Sequence, residues 1–461
     1  VVGAGISGLA AAWELRERAD VVVYDPAPPG GRIRTSDFAG RPVDEGPDAF
    51  ITRSPAAAEL CAELGLSGEL VAPAAGRTLL WTGGRLQPLP EGLVLGVPRR
   101  FGPLARSGLL SPAGLLRAGL DLVLPPTPPP ADVGVGELVS RRFGPEVASR
   151  LVEPLVGGIH AAPIATMSAA AAAPQLLAAA RRSRSLSLGL RDAGAGHGAG
   201  PAGAPPLFLA PAGGISRLVQ RLVESLLQAG TCFVPAAVRS VGGDGDGDGD
   251  GDGDGSIVVQ TTGGGGERFD GAVVTTSSPD AARLLGALAP AALAGVRHSS
   301  VALVTVAYEE GEVNIPPGFN GLLVPPGEGR LLTACSFGSN KWPHWSAPGQ
   351  VVVRASVGRL GDDRADTLDD TALTEGVLAD LAAALGATAR PLELRLSRWP
   401  RSFPFYEVGH LRRMADARRQ LAERLPSLAL AGSSYDGAGI PACIDSGRRA
   451  ARLVLGAPRR P

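Results

Sequence analysis

The chain opens on Val1-Val2, then a glycine-rich hexad, then ten residues whose apolar positions Leu9, Ala12 and Trp13 fall on one helical face. Val21-Val22-Val23-Tyr24 follows as a continuous apolar run, closed by Asp25. This pattern predicts a strand ending at Val2, a helix over 9–18 and a buried strand over 21–24, a βαβ unit of the dinucleotide-binding type. Ser54 as N-cap, Pro55 in the first turn and Gly65 past the end frame a second helix, with Ala58, Leu60, Cys61 and Leu64 as its apolar stripe. Prolines break the chain from 77 to 130, leaving room for a short helix over 115–124. Residues 137–156 and 169–182 read as helices. Over 214–228 an amphipathic helix turns Leu218, Leu222, Leu226 and Leu227 inward. Strands are expected over 233–241 and 257–260, and again over 301–308, 331–337 and 351–357, with one helix over 373–385. Loops, not regular crossover helices, separate the later strands, which predicts a mixed or antiparallel sheet distinct from the opening unit.

Composition narrows the picture. The 461 residues carry 44 basic and 45 acidic side chains, so the near-zero net charge removes the electrostatic basis for nucleic-acid binding. With 44% apolar and 19% charged residues the chain is globular. Cys61, Cys232, Cys335 and Cys443 lie far apart without a CxxC, so free thiols in a reducing cytoplasm are expected rather than zinc ligands or disulfides. No secretory signal is visible, and the chain begins at Val1. The uncharged stretch 154–180 is too rich in proline, glycine and alanine to span a bilayer. Residues 189–206, rich in Gly, Ala and Pro, read as a mobile loop. Residues 242–255 alternate glycine with six aspartates and read as a solvated hairpin tip. A calcium site is the competing reading of that tract, but it lacks spaced ligands and a closing glutamate.

Chemistry concentrates in a few segments. In Gly3-Ala4-Gly5-Ile6-Ser7-Gly8, Gly3 permits the tight turn, Gly5 lets the backbone approach a pyrophosphate, and Gly8 lets the helix pack close. The helix N-terminus offers free N–H groups to phosphates, and Asp25 suits ribose hydroxyls. Next come Gly30-Gly31-Arg32, Arg34-Thr35 and Asp44-Glu45-Gly46-Pro47-Asp48-Ala49-Phe50. A surface salt bridge is the alternative role for Arg32. Further on stand Glu153-Pro154-Leu155-Val156-Gly157-Gly158-Ile159-His160-Ala161, Trp399, Pro404-Phe405-Tyr406-Glu407-Val408-Gly409-His410, and Ser433-Ser434-Tyr435-Asp436-Gly437-Ala438-Gly439-Ile440-Pro441-Ala442-Cys443-Ile444. The last reads as a glycine turn delivering a helix N-terminus to a cofactor that turns anionic on reduction.

Together these segments resemble the flavin-containing amine oxidase and porphyrinogen oxidase superfamily, from Val1 to about residue 452. Gly46-Pro47-Asp48 and Ser339-Asn340-Lys341-Trp342 are similar to its bacterial, Gram-positive-type branch. The resemblance implies a noncovalent FAD, molecular oxygen as electron acceptor and hydrogen peroxide as by-product. It implies FAD contacts from Gly3, Ala4, Gly5, Ile6, Ser7, Gly8, Asp25, Gly31, Arg32, Gly46, Pro47, Asp48, Ala49, the Val238 backbone, Trp399, Ala438, Gly439 and Ile440. The implied activity is six-electron oxidation of coproporphyrinogen III to coproporphyrin III in haem biosynthesis, with protoporphyrinogen IX as the other macrocycle. A flavin amine oxidase or carotenoid desaturase, and a flavin-free module of the GDP-dissociation-inhibitor type, are the readings set against it.

No protein acid or base is required by that chemistry, and no catalytic residue is assigned. The five histidines are scattered, so no metal site is expected, and His160 and His410 are assigned to packing or hydrogen bonding. Arg53 is a candidate for a substrate propionate, or else a solvated helix-entry residue. The implied fold class is α/β: a discontinuous FAD-binding Rossmann-like domain (1–80, 207–285 and 405–461), a helical domain (81–206), and a mixed-sheet substrate domain (286–404, with a start from about 61). Relatives use the helical domain for peripheral membrane contact. Here Leu109, Leu110, Leu115, Leu116, Leu120, Leu122 and Leu124 supply either such a surface or core and pocket lining, and the lack of a basic amphipathic pattern favours the latter. Oligomeric state is left open.

Overall fold

Val2 pairs with a strand on each side, in parallel with Tyr24 and with Val274. Strand Val22–Tyr24 pairs outward with Cys232–Val234, and Ala272–Val274 pairs outward with Leu428–Leu430, all parallel. One small sheet is thus assembled from the beginning, middle and end of the chain. The computed structural model describes residues 1–74, 76–192, 206–243 and 256–457. The expected mobile loop over 193–205 and the Gly-Asp tract over 244–255 lie outside the described residues.

Helix Ile6–Leu15 is buried on nearly every face and includes Ala10, Ala11 and Ala12. A helix apolar all round must be covered on both sides, and here the parallel sheet covers one face while the C-terminal helix Ile440–Leu455 covers the other. Gly447 permits that approach: a Cβ there would run into the carbonyl oxygen of Ser7. The helix begins three residues before the expected 9–18 and ends at Leu15.

The expected mixed sheet is present. Seven strands lie in the order Glu393–Pro404, His298–Glu309, Gln350–Val357, Leu332–Ser336, Phe319–Leu323, Arg77–Thr82, Arg85–Pro88. All neighbours are antiparallel except Phe319–Leu323 with Arg77–Thr82. Helix Asp370–Leu385 covers one face through Leu373, Val377, Leu381 and Leu385. Three stretches of this sheet, Arg77–Pro88, Phe319–Leu323 and Glu393–Pro404, were not expected as strands. Arg77–Pro88 was obscured by the proline-broken stretch it opens, Phe319–Leu323 by Pro316, Pro317, Gly318 and Gly321, and Glu393–Pro404 by arginines 395, 398 and 401 along an edge strand.

A layer of helices spans residues 101–192 around its own core. The helix expected over 137–156 is broken at Gly144, whose φ is +89°. It resumes as Pro145–Val147 and then runs wide, as a π-type helix over Ala148–Gly157, where Pro154 supplies no N–H and crowds the preceding turn. The helix expected over 169–182 breaks at Ala173, the residue before Pro174, which that proline holds out of the helical region. Residues 189–192 close the helix Leu186–Asp192 and are not loop. Ser54 does not cap its helix. Pro55 takes that place, and the Ser54 hydroxyl donates to Asp445 at 3.3 Å. Leu227, expected inward, is 56% exposed. The strand expected over 233–241 divides at Pro235: Cys232–Val234 joins the parallel sheet, while Val238–Gly243 forms an antiparallel hairpin with Ile257–Thr261. Of the leucines over 109–124, Leu109 and Leu110 are buried, whereas Leu116 and Leu120 are exposed beside Val123.

Gly447→Ala is expected to destabilise the protein by about 3 kcal/mol, since the added methyl has no room between two packed helices. Urea unfolding of the apoprotein checks this, and an unchanged midpoint would contradict the close packing.

Candidate cofactor and active site

The hexad sits where the first strand meets its helix. Gly3 has φ +104°, and a Cβ there would lie 2.6 Å from Thr275 Oγ1. A Cβ on Gly8 would collide with the carbonyl of Gly3, whereas Gly5 faces open space. The amides of Gly5, Ser7 and Gly8 have no acceptor among the described residues. That is the arrangement a diphosphate needs. Asp25 is held at the end of its strand by two N–H donors, Ala4 at 2.8 Å to Oδ2 and Ala27 at 2.9 Å to Oδ1. Gly30 N–H donates to Ala4 O at 2.8 Å, which places Gly31 against Gly5.

Arg32 follows. It is open to solvent yet enclosed by protein, and this desolvation lowers its pKa. It makes no ion pair among the described residues; its nearest polar contact is Ser433 Oγ at 3.5 Å. A cation in a cleft without an anion suits an anionic ligand. The Arg32 carbonyl abuts Gly46, where a Cβ would clash and would also lie 3.7 Å from the Trp399 ring. Trp399 Nε1 donates to Glu45 O at 2.8 Å. The amides of Gly46, Asp48 and Ala49 again have no acceptor among the described residues.

Beneath this loop lies a charged cluster. Asp48 Oδ2 is 2.7 Å from Lys341 Nζ and 3.3 Å from Arg354 Nη2, and accepts from Trp342 Nε1 at 2.9 Å. Burial pushes the Asp48 carboxyl up, but the two cations and the N–H donors outweigh it and hold it well below the usual range. Asp44 is fully buried and its carboxyl is pushed up to about 6, chiefly by desolvation, against donors from Thr35 and Ile215 and the charge of Arg354.

The C-terminal motif closes the cleft. Gly437 has φ +149°, and Gly439 caps helix Ile440–Leu455. The amides of Ala438, Gly439 and Ile440 have no acceptor among the described residues. The turn is fixed from behind: Asp436 takes both terminal nitrogens of Arg418, at 2.9 and 2.7 Å, and Ser446 Oγ. Tyr406 Oη donates to Ser433 O at 2.6 Å, and His298 Nε2 lies 3.1 Å from Ser434 Oγ. His160 and His410 both meet Tyr406, with ring centroids 6.2 and 4.8 Å away. Burial holds both histidines below the usual value, His410 at about 4.

Thus Gly3, Ala4, Gly5, Ile6, Ser7, Gly8, Asp25, Gly31, Arg32, Gly46, Pro47, Asp48, Ala49, Trp399, Ala438, Gly439 and Ile440 lie on segments that these contacts draw together. Val238 stands at a bulge at the start of its strand, four residues after Val234, whose carbonyl accepts the Asp25 N–H at 3.2 Å. Arg53 is exposed and follows strand Phe50–Ile51, next to Thr52, which donates to Pro206 O. Among the described residues no group of His, Cys, Asp or Glu could hold a metal ion. Sequence reasoning passed over Arg354, Arg418 and His298. Arg354 had a signal, a lone charge within Val351-Val352-Val353-Arg354-Ala355, because a charge in an apolar strand has to be paired. The other two had none.

Comparison with known proteins agrees with this geometry. A family model described as flavin containing amine oxidoreductase matches residues 6–455. Coproporphyrinogen III oxidase of Bacillus subtilis (strain 168) is 32% identical over 99% of this chain and 97% of its own. The protein of the same name from Mycobacterium tuberculosis (strain ATCC 25618 / H37Rv) is 34% identical over 99% and 96%. The crystal structure of an Exiguobacterium sp. 255-15 protein assigned as a protoporphyrinogen oxidase superposes with a TM-score of 0.87 at 29% identity, covering 98% of this chain and 97% of that one.

Asp44 yields a pH prediction. Its folded pKa, about 6, lies above the ordinary value of 3.8. The folded state therefore binds the proton more tightly, and this group's stabilisation is complete below about pH 4 and lost as pH rises toward 6. Asp44→Asn should stabilise the apoprotein at pH 7 by up to about 3 kcal/mol, with the gain vanishing near pH 4. Urea unfolding at the two pH values checks it.

Proposed function

Since the chain belongs to the flavin-containing amine oxidoreductase family, we propose that it is an FAD-dependent, oxygen-dependent oxidase that converts coproporphyrinogen III to coproporphyrin III. The observation that carries the cofactor is the convergence of amides from three separate stretches that have no acceptor among the described residues, with Arg32, which makes no ion pair among those residues, between these stretches. Gly3 to Gly8 in the opening loop take the diphosphate, Asp25 the ribose and the Val238 backbone the adenine. Gly31 and Arg32 neutralise the diphosphate side. Residues 46–49, Trp399 and residues 438–440 surround the ring system.

Bound flavin supplies the two-electron acceptor, so removing six electrons from a porphyrinogen takes three cycles, each returned by oxygen with release of hydrogen peroxide. The chain's own residues bind, orient and exclude water. No side chain is assigned a proton-transfer role: His160 and His410 are held neutral by burial and pack on Tyr406. The macrocycle lies between the helical layer and the seven-stranded sheet, which meet where Leu360 N–H donates to Ala161 O at 2.7 Å. The division into FAD-binding, helical and substrate domains accompanies this reading. So does action in the cytoplasm, with Leu116, Leu120 and Val123 as the surface for peripheral membrane contact. No described helix is long and apolar enough to cross a membrane.

Coproporphyrinogen III is preferred to protoporphyrinogen IX because the Bacillus and Mycobacterium relatives carry that name. The name given to the Exiguobacterium protein supports the second macrocycle. The two differ in propionate against vinyl groups. Turnover of each under air, followed by porphyrin fluorescence with peroxide counted, is expected to favour coproporphyrinogen III with three peroxides per porphyrin. Equal or greater turnover of protoporphyrinogen IX would reverse the assignment. Purified protein should be yellow, and Asp25→Ala should lose FAD; stoichiometric flavin in that variant would refute the ribose role.

A further inference from the structure

Two cations reach the loop at 46–49, one from the seven-stranded sheet and one from the short helix that follows its strand Leu332–Ser336. Arg354, 8% exposed, donates from Nη1 to the carbonyl oxygens of Asp44 at 3.0 Å and Gly46 at 2.9 Å, and its Nη2 lies 3.3 Å from Asp48 Oδ2. Lys341 closes the short helix Gly338–Lys341, and its Nζ lies 2.7 Å from the same oxygen. It is the only lysine among the 44 basic residues of the chain. Trp342 and Trp345, both fully buried, floor the cluster, with Lys341 over the first ring and Arg354 over the second.

Burying three charges is costly unless each is well paired. A loop can be held by neutral hydrogen bonds, so the choice of charges calls for a reason. Asp48 is an anion within the stretch that would face the flavin, and reduced flavin carries added negative charge. At short range and low dielectric, an uncompensated carboxylate would oppose both binding and reduction. Arg354 has a second effect. By taking the carbonyls of Asp44 and Gly46 it turns those acceptors toward the sheet, while the amides of Gly46, Asp48 and Ala49 are left without a protein acceptor among the described residues.

We infer that Lys341 and Arg354 are positioning residues for the flavin: they hold loop 46–49 with its amides toward the cofactor and cancel the Asp48 charge beside it. This rests on the flavin reading of the cleft. FAD affinity of reconstituted protein, the visible flavin spectrum and the flavin midpoint potential test it. Lys341→Met should weaken FAD about tenfold or more, move the potential to more negative values and alter the flavin bands. Lys341→Arg, which keeps the charge, should restore most of each. Asp48→Asn/Lys341→Met, which removes both charges, should bind FAD more tightly than Lys341→Met and return the potential toward that of the parent. Affinity of Lys341→Met within about twofold of the parent, with unchanged potential and spectrum, would overturn the inference. Should Lys341→Met fail to fold, a Lys341→Arg protein that folds like the parent yet fails to hold FAD would overturn it equally. Parent protein that takes up no FAD would instead fail the flavin reading, and that is seen before any variant is made.

Discussion

The structure depends on one short stretch of backbone having a partner on each side. Val2 N–H donates to Val273 O, Val1 O accepts from Tyr24 N–H, and Val2 O accepts from Thr275 N–H, each at 2.8–2.9 Å. Parallel strands leave every backbone group in need of a neighbour, and a buried group without one costs as much as a lost hydrogen bond. The strand ending at Tyr24 and the mid-chain strand Ala272–Val274 satisfy this one, and the C-terminal strand Leu428–Leu430 in turn satisfies the latter. The hexad turns at the end of Val2, so its geometry is inherited from contacts with Tyr24 on one side and with Val273 and Thr275 on the other. The loop after strand Leu428–Leu430 arrives at the same sheet edge for the same reason, and a cleft outside the carboxyl ends of parallel strands is where such sheets hold ligands.

Around that cleft polarity is divided. Carbonyl oxygens are consumed by protein donors, as with Asp44 and Gly46 by Arg354, Ser433 by Tyr406 and Glu45 by Trp399. Amides of the opening hexad, the second loop and the C-terminal turn are left over. Because the fixed donors and helix N-termini share one sign, the cleft is suited to a cofactor that is anionic through its diphosphate and becomes more so on reduction. The acids nearby are neutralised in different ways: Asp48 and Asp436 by cations, Asp44 by burial that favours its proton.

The helical layer shows the same economy with charge. Asp121, wholly buried, receives Arg142 Nε at 2.8 Å, Ser185 Oγ at 2.6 Å and the amides of Leu186 and Ser187. Arg142 in turn gives its remaining donors to the carbonyls of Asp121, Pro125 and Arg184. Every lone pair of the acid and every nitrogen of the base is used, the condition under which a buried pair can be retained. This knot ties together helices that the prolines between 88 and 145 would otherwise leave as separate turns.

Local sequence determined the elements whose cause is local. The hexad, the strand closed by Asp25, the helix over 216–228 and three inner strands of the large sheet, His298–Glu309, Leu332–Ser336 and Gln350–Val357, were legible because apolar period, glycine placement and turn chemistry act within a few residues of one another. Helix breaks at Gly144 and Ala173, the capping of helix Ala56–Glu63 and the exposure of Leu227 were misread, because each turns on a neighbour or a backbone angle that periodicity does not report. Arginine-studded Glu393–Pro404 looked unlike a strand, yet its partner His298–Glu309 supplies the hydrogen bonds that make it one. The cofactor motifs could be recognised one at a time. Their convergence, the pairing of Lys341 and Arg354 with Asp48, and the meeting of His160 with His410 at Tyr406 were decided only by tertiary structure, since charge pairing and ring packing act through space between residues that no local pattern connects.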